Sequence, residues 1–217
     1  MGKEKAKDNS IMPTIITIVI AIIAVATVLY AYISGAFENA GSDGFVPTQE
    51  HKAEIEKNSK ELLERNYETY MLFYQFGLAI GEEGESEEDI YARAPEDGVY
   101  LAKSDKYKTY QDIENLLTDT FAQGTVRRLL EKGQGKGQIY FDKDGKLGMK
   151  IANFEAHEYN KSWNNITIEY DEIAEFSVKL IVELAINDDD GNESKKTTVE
   201  GYMVKINDQW VLEDLIY

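Results

Sequence analysis

Residues 174–186 read AEFSVKLIVELAI, with Phe176, Val178, Leu180, Val182, Leu184 and Ile186 at every second position and Ser177, Lys179 and Glu183 between them. A period of two sends alternate side chains to opposite faces of a pleated strand, so one face of this segment is apolar and the other wet. The same alternation recurs in 166–170 (ITIEY), 196–206 (KTTVEGYMVKI) and 209–215 (QWVLEDL). Between these segments lie 188–193 (DDDGNE) and Asn207-Asp208, residue types that tolerate the left-handed backbone of tight turns. The pattern predicts an antiparallel meander whose apolar face must be covered by something else.

The cover is sought upstream. Gln138–Asp142 (QIYFD) and Lys146–Lys150 (KLGMK) flank Lys143-Asp144-Gly145 and predict one more hairpin. Before it the period changes to that of a helix. Ile55, Leu62, Leu63, Tyr67, Tyr70, Met71, Tyr74 and Leu78 recur at helical spacing with charged residues between, which predicts one amphipathic helix from Thr48 to about Ile80, ended by Gly81. Thr109, with Asp112 three residues on, reads as the cap of a helix beginning YQDIENLLTDTF, with Ile113, Leu116, Leu117 and Phe121 as its buried stripe. A short helix over Gly124–Leu130 follows and stops at the glycine-rich stretch Gly133–Gly137. That stretch lacks the strand before it, the helix after it and the Lys-Ser/Thr ending that a phosphate loop needs. Helices first and a curved antiparallel sheet afterwards define an α+β domain.

The N-terminus is of a different kind. No charged side chain stands between Asp8 and Glu38, and residues 11–33 (IMPTIITIVIAIIAVATVLYAYI) are almost wholly aliphatic. At about 1.5 Å per residue a helix of that length matches a hydrocarbon layer of about 30 Å. The segment is expected to be a transmembrane helix, preceded by a tail at 1–10 and followed by a linker at 34–47 and a domain at 48–217. Lys3, Lys5 and Lys7 precede it, whereas Glu38, Asp43 and Glu50 follow with no basic residue before Lys52. The positive-inside bias therefore places the tail in the cytoplasm and the domain outside. Cleavage after small residues such as Ser34, Gly35 and Ala36 is the alternative; the apolar run is longer than cleavable signals carry, and either outcome exports the domain.

Composition narrows the function classes. The 217 residues hold 40 Asp and Glu against 23 Lys and Arg, a net charge of −17, and no Cys. Nucleic acid is excluded as the expected partner, because phosphate binding needs a concentrated basic face. Without cysteine there are no disulfides, thiol nucleophiles or thiolate metal sites. His51 and His157 cannot be tied to a catalytic partner by spacing. Asp142 with Asp144, and Asp188–Asp190 with Glu193, lack the ligand order of a calcium loop and read as turns. Glu169, Asp171, Glu172 and Glu175 alternate over both sheet faces and so do not converge as an acid/base pair. No enzyme activity, cofactor or metal is expected.

The run from Val99-Tyr100-Leu101 through YKTYQDIENLLTDTFAQGTVRRLLEKG and GQIYFDKDGKLG to Asp208-Gln-Trp210-Val-Leu-Glu-Asp214 resembles the IseA family of D,L-endopeptidase inhibitors, exported by Gram-positive bacteria. The likeness covers about residues 99–215 and lies in pattern: a helix, then FxxGxxxxLL, IYFDxDGKL and W-x-L-x-D. It implies a cystatin-like fold and a protein partner, the catalytic domain of a peptidoglycan-cutting cysteine peptidase whose cleft the domain blocks. Two features depart from the family, the retained anchor at 11–33 and the acidic insert 82–89. The likeness supplies no contact residues. Loop character selects Glu82, Glu83, Glu85, Glu87, Glu88 and Asp89 in the acidic run, with Asp188, Asp189 and Asp190 second; the plain alternative for each is a solvated loop. Two other classes fit the same parts: an accessory module of a cell-envelope complex resembling nuclear transport factor 2, and a pocket enzyme using His157, Tyr159, Glu169 and Tyr170. The oligomeric state is left open.

Overall fold

Thr48 opens the first helix, α1 (Gln49–Tyr70): its backbone is extended and its hydroxyl accepts the His51 N–H at 3.1 Å. The computed structural model describes residues 45–217 apart from 82–83 and 188–192. The expected membrane segment 11–33, the tail 1–10 and residues 34–44 of the linker lie outside the described residues. Among the described residues no helix is long and apolar enough to cross a membrane.

The buried stripe of α1 is Ile55, Ser59, Leu62, Leu63, Asn66, Thr69 and Tyr70. Three of these are polar, and each is satisfied locally or across the core: Ser59 pairs with the Tyr170 hydroxyl at 2.9 Å, and Thr69 donates to the Arg65 carbonyl at 2.9 Å. Asn66 bonds the Ile216 backbone twice, donating to its carbonyl at 2.7 Å and accepting its N–H at 2.9 Å. The helix does not continue to Ile80. At Met71–Gln75 it widens into a π turn, and the Phe76 and Gly77 N–H groups both return to the Met71 carbonyl, at 2.9 and 3.1 Å. That shared acceptor ends the ladder at Gly77, and the chain leaves as strand β1 (Ala79–Ile80). A second departure follows: the acidic run is not structureless, because Ser86 caps a short helix, α2 (Glu87–Ala92), that buries Ile90.

Strand β2 (Tyr100–Lys103) leads to the helices α3 (Tyr110–Thr118) and α4 (Gln123–Lys132). The capping box of α3 is present as the sequence predicts, with Thr109 N–H donating to the Asp112 carboxylate at 2.8 Å and Asp112 N–H to the Thr109 hydroxyl at 3.3 Å. The predicted hairpin is β3 (Tyr140–Lys143) and β4 (Lys146–Met149), joined by Asp144 and Gly145, both at positive φ. It does not belong to the meander. It pairs with β2, giving an antiparallel sheet in the order β1-β2-β4-β3.

The meander forms the other sheet, β5 (Lys161–Asp171), β6 (Ser177–Asn187), β7 (Glu193–Ile206) and β8 (Gln209–Leu212), antiparallel in sequence order. Its β7–β8 turn is Asn207-Asp208 at φ 50° and 63°. Val178, Leu180, Val182 and Leu184 form the buried row of β6. Gly201, opposite Leu180, has no side chain because Ile216 lies where its Cβ would stand.

Helix α1 lies in the curl of this sheet. His51 Nε2 meets the Ala174 carbonyl at 3.2 Å, Ser59 meets Tyr170, Tyr67 stacks on Trp163 at 5.7 Å, and Tyr70 meets Tyr159 at 4.5 Å. These contacts descend β5 as α1 advances. On the other side Glu54 reaches Trp210 and Asn66 reaches Ile216, so the partners advance with the helix. Helix α1 therefore runs antiparallel to β5 and parallel to β8 and touches both edges of one curled sheet. Side chains from both sheets and from α1, α3 and α4 share one core, with Ile113, Leu117, Phe121 and Leu129 joining Tyr140, Leu147, Leu180 and Met203.

Candidate interaction surface

A groove of about 990 Å3 is lined by Gly81, just before the acidic run, and by Gly84 within it. The rest of the groove comes from the end of β2 (Leu101–Lys103), the loop to α3 (Ser104, Asp105, Tyr107, Lys108, Thr109), Gly145 of the β3–β4 turn and Lys146 at the start of β4. Local hydrogen bonds shape the loop. Ser104 Oγ accepts the N–H groups of Lys106 and Tyr107 at 3.2 and 2.9 Å, and Asp112 Oδ2 accepts that of Lys108 at 2.8 Å. The Thr109 and Lys108 N–H groups hold the Asp112 carboxyl below the usual range.

Three lysines line this groove in a chain of net charge −17. Lys108 donates to the Ser104 carbonyl at 2.5 Å and reaches Asp105 at 3.4 Å. Lys146 is exposed and Lys103 half-buried. Tyr107, also in the lining, is buried with Lys106 Nζ 5.4 Å from its ring centre, and its hydroxyl has no hydrogen-bond partner among the described residues. Burial, with the Glu68 carboxylate nearby, pushes its pKa up, so the hydroxyl keeps its proton. The carboxylate in the lining is that of Asp105, and the hydroxyl groups are those of Ser104, Tyr107 and Thr109. Three ammonium groups and one carboxylate give the lining a mixed charge.

The candidate acidic residues separate by role. Glu85 pairs with Arg93, and Asp89 accepts the Ser86 hydroxyl at 2.6 Å while Ser86 Oγ accepts the Asp89 N–H at 3.2 Å, so both serve the local fold. Glu88 is exposed on α2, and Glu87 opens that helix. Glu82 and Glu83 lie outside the described residues, as do Asp188, Asp189 and Asp190. In sequence the latter three fall between β6 and β7, strands that do not line the groove.

The four residues weighed for a pocket enzyme do not converge. Glu169 is on the solvent face of β5, whereas Tyr170 turns inward to Ser59. The His157 ring is exposed and stands edge-on to Tyr74 at 5.6 Å. Tyr159 packs on Tyr70, accepts the Trp163 indole N–H and is pushed up to about 12 by burial. Among the described residues no cluster of three His, Asp or Glu side chains has the form of a metal site. The groove lysines escaped the sequence reading because Lys103 and Lys108 stand about forty positions before Lys146 and share no period with it.

No family model matches the chain, and no curated protein matches it.

Proposed function

We propose that the chain is a membrane-anchored, extracytoplasmic inhibitor that binds a peptidoglycan D,L-endopeptidase and occludes its active-site cleft, performing no chemistry itself. The domain is cystatin-like in this reading: one long helix held in a curled antiparallel sheet, with loops left to meet a partner. The observation that carries the proposal is the groove beside the acidic run, a concave surface lined by three lysines and Asp105. Support also comes from the resemblance across residues 99–215 and from the apolar segment 11–33, which would hold the inhibitor near the wall and raise its local concentration.

Binding is tested by mixing the unit Val46–Tyr217 with a purified D,L-endopeptidase catalytic domain and measuring mass by light scattering during gel filtration. A one-to-one complex is expected. Separate elution of the two components at concentrations well above micromolar contradicts the proposal.

A further inference from the structure

The two edges of the meander sheet are finished differently. Beside β8 the chain seals the edge: Leu212 N–H donates to the Thr120 carbonyl at 2.7 Å, and Ala122 N–H donates to the Leu212 carbonyl at 2.8 Å. Strand β5, at the opposite edge, pairs with β6 alone among the described residues. A bulge between Ser162 and Thr167 breaks the first part of its ladder, and from Thr167 to Asp171 the pairing with β6 is regular. In an antiparallel edge strand, alternate residues direct their N–H and C=O groups away from the sheet, so 166–171 offers a row of unpaired backbone groups about 20 Å long.

Sheets commonly protect such an edge against self-pairing with charged side chains, lysine above all, with proline or with a bulge. Residues 166–171 (ITIEYD) contain neither Lys nor Pro, and the bulge ends before Thr167. What the edge carries is negative charge. Thr167, Glu169 and Asp171 share the solvent face, and Glu172 and Glu175 follow, all exposed. Glu169 makes no ion pair among the described residues, and Asp171 accepts the Glu172 N–H at 2.9 Å. The neighbouring lysines are engaged: Lys179 pairs with Glu200 at 2.8 Å and Lys196 with Glu183 at 2.6 Å. A second copy laid along β5 would bring like charges together and add another acidic molecule, which disfavours self-pairing.

We infer that the edge of β5 at Ile166–Asp171 is a docking site for an extended basic segment of another polypeptide, added as a fifth strand with lysine or arginine side chains over Glu169 and Asp171. Backbone pairing supplies the attraction, and the carboxylates select the partner. The inference rests on the sheet alone and stands whether or not the groove binds a hydrolase.

The test uses the full chain in mild detergent and a capped peptide of about eight residues alternating lysine with valine or threonine. Binding is read by fluorescence anisotropy, and amide hydrogen exchange is followed by mass spectrometry. The peptide should bind and slow exchange in 166–171. The same peptide N-methylated at alternate residues keeps its charge and loses one hydrogen-bonding edge, and it should bind at least about tenfold more weakly. Substituting E169K and D171K together should weaken the unmethylated peptide by about tenfold. Equal affinity for the two peptides, or protection elsewhere than β5, overturns the inference. Concentration-dependent protection of β5 in the free chain also overturns it, because a second copy would then be the occupant.

Discussion

Asn66 is a side chain acting as backbone. It is fully buried and closes two hydrogen bonds with Ile216 that a neighbouring strand would otherwise make. Asn66→Leu leaves a buried N–H and C=O unpaired and should cost about 3 kcal/mol, read as a lower urea midpoint at unchanged slope. Glu54 gives a pH-dependent case. It accepts Lys205 Nζ at 2.8 Å and Trp210 Nε1 at 2.9 Å, and the Lys205 bond chiefly holds its pKa below the ordinary 4.5. The folded state therefore binds this proton less readily than the unfolded chain, so the contribution is present above pH 4.5 and lost as pH falls through the folded value. The gap in melting temperature between wild type and Glu54→Gln should be open at pH 7 and close in acid; a gap constant with pH rejects the linkage. Neither contact is legible in the sequence, since Asn66 and Ile216 are 150 positions apart and Glu54 and Trp210 are 156 apart. The Thr109–Asp112 cap was legible because both partners lie within one turn.

The meander was readable because its alternation persists through strands that each bury one face, and Asn207-Asp208 supplies its own turn. The end of α1 was not. Leu78 continues the helical period, yet the π turn at Met71–Gln75 shifts the register and Gly77 stops the ladder before it. In α2 the capping pair Ser86 and Asp89 was hidden by the acidic composition around it. Gly201 shows what binds the C-terminal segment to the sheet. Gly201→Val would drive a side chain into Ile216 and should destabilise by about 2 kcal/mol. Adding Ile216→Ala should restore about 1 kcal/mol of that loss by making room. Additive losses in the double variant, measured by chemical denaturation, would show that the contact is not the cause.

At the level of the molecule, charge and attachment govern the proposed role. A chain of net charge −17 should approach a basic partner quickly at low salt. Replacing Glu82, Glu83, Glu85, Glu87 and Glu88 with Gln should slow complex formation more at 20 mM than at 500 mM salt, where the Debye lengths are about 21 and about 4 Å. Stopped-flow rates reduced equally at both salts count against steering. The fold class, helices with a curled antiparallel sheet, was readable from sequence. The groove was not, because it assembles from β2 and the loop before α3, the β3–β4 turn and the glycines at 81 and 84. The most direct measurement is the rate of peptidoglycan cleavage by a D,L-endopeptidase titrated with wild type and with the K103E/K146E variant. Inhibition should be complete at one equivalent of wild type, and the variant should need at least about tenfold more. Cleavage unchanged at saturating wild type, or equal inhibition by the two, would contradict occlusion through this surface.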